Sequence, residues 1–190
     1  MKIRTWILPA SLLLLAACFS ASPDKKYYQL DLAPLPSGPA WPHTLLVDRI
    51  EIDALYDDFR ILYRVSPVEV NYYAYHFWAE KPARLLRDAL FHKLELSGRF
   101  SRVLMDLGKE NPDWVLRCTI HQIEEIDAPQ VWRARLGLGM EVVESKSGTI
   151  LASRRFDREA PLDRPDVGLL PRALSRILDE ELAALLADLK

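Results

Sequence analysis

The chain has 190 residues, with 25 Lys and Arg against 27 Asp and Glu, 49% hydrophobic residues and two cysteines. A formal charge of −2 with signs mixed along the chain gives no basic footprint for nucleic acid, and two cysteines without a C-x-x-C pair make neither a disulfide framework nor a thiolate metal site. Length and apolar fraction are those of one ordinary globular domain.

Residues 1–18 read MKIRTWILPASLLLLAAC: Lys2 and Arg4 form a charged start, an apolar run of 12 residues follows from Trp6 to Ala17, and Ala16-Ala17 offers a small-residue cleavage site. That order is a secretory signal peptide. The run is shorter than the ~20 residues a membrane-spanning helix needs, so no permanent span is expected. Leu15-Ala16-Ala17-Cys18 resembles the lipobox of bacterial lipoproteins, which implies cleavage before Cys18 and acylation of its side chain and new N-terminus, with palmitate-like chains. Two or more chains anchor stably where one binds only marginally. Phe19, rather than Asp, follows the cysteine, and by the same resemblance this favours the periplasmic leaflet of the outer membrane. Removing residues 1–17 leaves 23 basic against 27 acidic side chains, a formal −4.

Residues 18–26 carry the acylated Cys18 and a short polar tether, and residues 27–190 form the domain. Tyr27 to Leu32 reads as a first strand, followed by an extended loop with Pro34, Pro36, Pro39 and Pro42. Thr44 to Ile52 and Phe59 to Ser66 are β-branched and aliphatic runs joined through Asp53, Asp57 and Asp58, and Val68-Val70-Tyr72 continues with period two. Leu86, Leu90 and Leu94 recur at helical spacing between Lys81 and Gly98, with Pro82 suited to a first turn and Gly98 to the residue after the end. Phe100 to Met105 is a short strand. Trp114, Leu116, Cys118 and Ile120 alternate with polar partners, and Trp132, Ala134, Leu136, Leu138, Met140 and Val142 share one face, predicting a long antiparallel hairpin. Ser147-Gly148 turns into a strand over 149–157. A second helix starts between Asp166 and Pro171, with Leu170, Leu174, Ile177, Leu178, Leu182, Leu185 and Leu189 as its apolar stripe. The expected fold is a single α+β domain: a largely antiparallel sheet with two amphipathic helices packed on one face.

Catalytic patterns are missing from the sequence. There is no G-x-S-x-G, and His43, His76, His92 and His121 fall in four separate segments without ligand spacing. Gly137-Leu138-Gly139 lies in mid-strand and precedes no helix, so close packing or a bend accounts for it. The acidic group Glu51, Asp53, Asp57 and Asp58 forms no Asp-x-Asp-x-Asp-Gly loop and reads as a solvated turn. Cys118 reads as a small buried hydrophobe. No enzyme, cofactor or metal is expected.

The most unusual segment is Asn71 to Trp78, NYYAYHFW. An alternating strand cannot bury all five of its aromatic rings on one face, so some stand at an edge or a surface. Tyr72, Tyr75 and Trp78 are therefore candidates for partner binding, with packing under the first helix and the hairpin as the other account.

With these residues in place, the chain resembles the ABC-type transport auxiliary lipoproteins, the family that includes the paraquat-inducible C lipoproteins. The features that match are the lipobox at Cys18, Tyr27-Tyr28-Gln29-Leu30-Asp31, Leu55-Tyr56-Asp57, Arg60-Ile61-Leu62-Tyr63-Arg64, and Trp78-Ala79-Glu80 running into a Pro-containing helix. Two departures stand out: Asp53-Ala54 where the family often has a Pro, and an unusually aromatic run over 71–77. The resemblance implies a non-enzymatic accessory that docks an MCE-domain periplasmic protein of an ABC lipid transport system at the outer membrane. The alternative is a periplasmic lipid-binding carrier. Self-association is left open, and no nucleic-acid partner is expected.

Overall fold

The computed structural model describes residues 23–108 and 111–189, so the expected signal peptide and Cys18 lie outside the described residues. In chain order the elements are β1 (Lys26–Tyr28), β2 (Trp41–Val47), β3 (Glu51–Ile52), β4 (Arg60–Ser66), β5 (Glu69–Trp78), α1 (Pro82–Leu96), β6 (Phe100–Leu104), β7 (Trp114–Ala128), β8 (Val131–Glu144), β9 (Ile150–Pro161) and α2 (Leu170–Ala187). A short 3-10 turn, Ala54–Tyr56, sits between β3 and β4.

β7 is the trunk of the sheet. Along one side its start pairs with β2, its middle with β3 and its end with β4; along the other it pairs with β8, which in turn pairs with β9. Beyond β4 the sheet continues to β5 and β1, and beyond β2 to β6. The β7–β8 hairpin and the β8–β9 pair match the expected alternation, and the hairpin turns through Gln130 at φ 65. The expectation of a largely antiparallel sheet needs correction. β1–β5, β2–β6, β2–β7, β3–β7 and β4–β7 are parallel, so the sheet is mixed. Period-two alternation marks a strand and its buried face but carries no direction, whereas a parallel neighbour requires a long crossover that leaves no local mark.

Both helices pack on the same face and share one core with it. In α1, Leu86, Leu90 and Leu94 are fully buried, and so are Leu178, Leu182 and Leu185 in α2; they meet Leu116, Ile120, Leu136, Leu138 and Met140 of the sheet. Pro82 opens α1 and Gly98, at φ +61, follows its end, where a left-handed residue is cheapest as glycine. Glu181, which interrupts the stripe of α2, is buried between Arg154 and Arg158 of β9, at 3.0 Å from each. Cys118 is buried in this layer, and burial pushes its thiol up to about 12, so it stays a protonated hydrophobe.

The Pro-rich loop is a strap. It leaves β1, crosses both helices and returns as β2. The Asp31 N–H donates to Ser175 Oγ at 3.0 Å, the Ala33 N–H to Asp179 Oδ2 at 2.9 Å, and Arg99 Nε to the Pro39 carbonyl at 2.9 Å. Lys93, buried in α1, donates to the Ala33 carbonyl and to Asp179 Oδ1, the latter at 2.5 Å. The mid-strand glycine has a packing reason. A register shift between Ile120 and Gln122 swings Gln122 across Gly137, where a Cβ would lie 1.9 Å from Gln122 Oε1.

Candidate docking site

The aromatic strand β5 is irregular. Between the pairs Arg60↔Phe77 and Leu62↔Tyr72, β4 advances two residues while β5 advances five, so residues 73–76 bulge away from β4. The bulge separates the aromatic side chains. Tyr73 turns inward, stacks at a tilt on Tyr63 with centroids 4.5 Å apart, and donates its hydroxyl to Glu125 Oε2 at 3.0 Å. His76 meets Tyr73 edge-on at 5.2 Å and stacks on Tyr28 of β1, whose hydroxyl lies 2.8 Å from His76 Nδ1. On the outer face Tyr27 stacks on Phe77 at 5.6 Å.

The three residues singled out in the sequence have different fates. Trp78 is 1% exposed, and its ring belongs to the core rather than the surface; its backbone N–H donates to the Phe59 carbonyl at 2.6 Å. Tyr72 is half-buried, lies under the Arg60 guanidinium at 4.4 Å and donates to the Leu55 carbonyl at 2.7 Å. Tyr75, on the bulge, is exposed. Phe59 and Leu55 are also exposed nearby, and no periodicity in the sequence marked them.

Two consecutive glutamates of β7, which the sequence reading passed over, are buried on opposite faces of the sheet. Glu124 sits in a closed network. Arg64 donates to it twice, Nε to Oε1 at 2.8 Å and Nη2 to Oε2 at 2.9 Å; Tyr56 donates its hydroxyl to Oε2 at 2.9 Å, and Arg135 Nη1 donates to Oε1 at 3.3 Å. Arg135 is itself held by Asp157 through two bonds, at 2.6 and 2.9 Å. Burial, then the Glu124 charge, raises the Tyr56 hydroxyl to about 12, so it stays a donor.

Glu125 has no such cation. Burial raises its carboxyl to about 7, Asp127 and Asp166 push the same way, and only the Tyr73 hydroxyl opposes them. Because the folded carboxyl titrates above its ordinary 4.5, the native state holds the proton more tightly than the unfolded chain. Its contribution to stability is therefore full below about pH 4.5 and lost as pH rises through about 7. Glu125→Gln is expected to remove this dependence, gaining on the order of 3 kcal/mol relative to wild type at pH 8 and little at pH 4.5. Urea melts at the two pH values check it; parallel curves for the two proteins would show that Glu125 does not titrate in this range.

Among the described residues no group of three or more His, Cys, Asp or Glu side chains is placed to hold a metal ion, and no helix is long and apolar enough to cross a membrane. The acidic turn is spent on ion pairs, Asp57 with Lys81 at 2.9 Å and Asp58 with Arg60 at 2.8 Å.

Fold and edge together define a single α+β domain: a mixed sheet layered on two helices, with aromatic side chains gathered where the chain enters the sheet. The chain belongs to the family of ABC-type transport auxiliary lipoprotein components, whose model matches residues 28–186. That family comprises lipoproteins that assist transport rather than a known group of enzymes, and it places the chain among membrane-associated periplasmic components of an ABC transport system. The fold is shared with protein XCC0632 from Xanthomonas campestris, at 23% identity and a TM-score of 0.72, covering 85% of this chain and 92% of that one. It is shared more loosely with the PelC dodecamer from Paraburkholderia phytofirmans, at 14% identity and a TM-score of 0.50, covering 79% and 95%. Comparison with curated proteins finds no match.

Proposed function

We propose that this chain is acylated at Cys18, stands on the periplasmic leaflet of the outer membrane, and docks an MCE-domain protein of an ABC lipid transport system. The observation that carries the reading is the family match over residues 28–186, which embraces every strand from β2 to β9, α1 and all but the last residue of α2. Tethering confines such a domain near one membrane and raises its effective concentration for a partner that reaches that surface. The sheet–helix layer is filled by side chains such as Leu86, Leu90, Leu178 and Leu182, all fully buried, which suits docking better than carrying a lipid inside.

On this reading Tyr75 is the contact residue, Tyr72 and Arg60 brace the surface beside it, and Trp78 supports the strand from below. Affinity capture of the full-length protein from detergent-solubilised envelopes is expected to recover an MCE-domain protein; its absence would overturn the partner. Tyr75→Ala is expected to weaken that recovery about tenfold while leaving the melting temperature unchanged; undiminished recovery would move the interface elsewhere. Cys18→Ser is expected to release the protein from the membrane or leave it unprocessed. Intact mass spectrometry of the wild-type protein checks the acyl chains directly.

A further inference from the structure

We infer that the outer face of β1 and the end of β5, formed by Lys25, Tyr27 and Phe77, lies against the surface of the membrane that holds the anchor and binds the headgroups of anionic phospholipids. This rests on the acylation of Cys18 proposed above. Cys18 precedes Lys25 by seven residues, and a fully extended chain spans at most about 3.6 Å per residue, so Lys25 stays within about 25 Å of the acylated cysteine. Whatever the domain does, this edge is the part of it held closest to lipid.

The chemistry of the edge fits that position. Tyr27 is 63% exposed although it is aromatic and paired within a strand, and it stacks on Phe77 in a continuous apolar surface. Lys25 Nζ lies 5.4 Å from the Phe77 centroid. Lys25 makes no ion pair among the described residues, whereas nearby Arg60 is held by Asp58 at 2.8 Å; Lys26 points to the opposite face of β1, toward His76 and Asp166. Aromatic rings beside an unpaired lysine are what an interface between headgroups and acyl chains selects, the ring supplying apolar area with a polar tip and the ammonium group meeting anionic phosphate. Asp24, exposed beside them, is the one opposing charge in the segment Asp24–Tyr27. A protein partner faces no such restriction to the start of the tether, and the exposed side chain of Tyr75 lies two residues before Phe77 in β5, on the bulge.

The test uses the full acylated protein in phosphatidylethanolamine–phosphatidylglycerol vesicles and, for comparison, in detergent micelles. A water-soluble amine reagent should modify Lys25 about fivefold more slowly in vesicles, while Lys146, in the distant β8–β9 turn, reacts equally in both. Equal rates for Lys25 in vesicles and micelles would overturn the proposal. Tyr27→Ser combined with Phe77→Ser should abolish the protection with the acyl chains still present by intact mass; protection that persists would assign it to the tether alone and overturn the role of this face. Should Phe77→Ser loosen the edge, Tyr27→Ser by itself, at the exposed ring, must still reduce the protection. A wild-type mass without acyl chains would instead overturn the anchor on which the inference rests.

Discussion

Arg64→Ala is expected to cost about 3–5 kcal/mol of stability, because it leaves the fully buried Glu124 without its bidentate partner. Taking one ion out of a desolvated pair forfeits the attraction and keeps the desolvation penalty, and Arg135 offers only a 3.3 Å contact while being committed to Asp157. For a domain of this size the loss lowers the melting temperature by roughly 10 °C. The double variant Arg64→Met with Glu124→Leu should recover much of it, since replacing a buried pair by packed apolar side chains is often neutral. Thermal unfolding of the three proteins decides it; a single variant as stable as wild type would mean that Arg135 and Tyr56 suffice to hold the charge.

Trp78→Ala is expected to cost a similar amount, about 3–5 kcal/mol, through the cavity it leaves in the core at the end of β5, beside β1. Its position makes the effect local as well as global: the N–H of Ala79 donates to the Tyr28 carbonyl at 2.7 Å, so the end of β5 and β1 share this support. Limited proteolysis should therefore cut near β1 in the variant at temperatures where wild type is intact. The contrast with Tyr75→Ala separates a scaffold residue from a contact residue within one strand. If Trp78→Ala melted at the wild-type temperature yet lost the partner, the ring would be acting at the surface.

Much of the fold was legible in the sequence because it is written in local patterns. The helix read between Lys81 and Gly98 is α1, Pro82–Leu96, and the hairpin read from alternation is β7 and β8. The strand read at Tyr27 to Leu32 is shorter, Lys26–Tyr28, since the chain then peels away into the strap, where the Asp31 and Ala33 N–H groups donate to Ser175 and Asp179 of α2 instead of a ladder. What stayed hidden is non-local. The parallel pairings of β7 depend on crossovers, and the burial of Glu124 and Glu125 depends on Arg64 and Tyr73, 60 and 52 residues earlier. The aromatic run was rightly read as unable to bury on one face, but the bulge that sends Tyr73 inward and leaves Tyr75 outside is set by pairing with both β4 and β1.

The strap has a consequence for how the molecule is made. It joins residues far apart in sequence, Asp31 to Ser175 across 144 positions and Ala33 to Asp179 across 146. Contacts of such separation bear a large loop-closure entropy and form late. A chain synthesised from its N-terminus cannot complete this clasp until its final helix has followed, so residues made among the first are among the last to find their places.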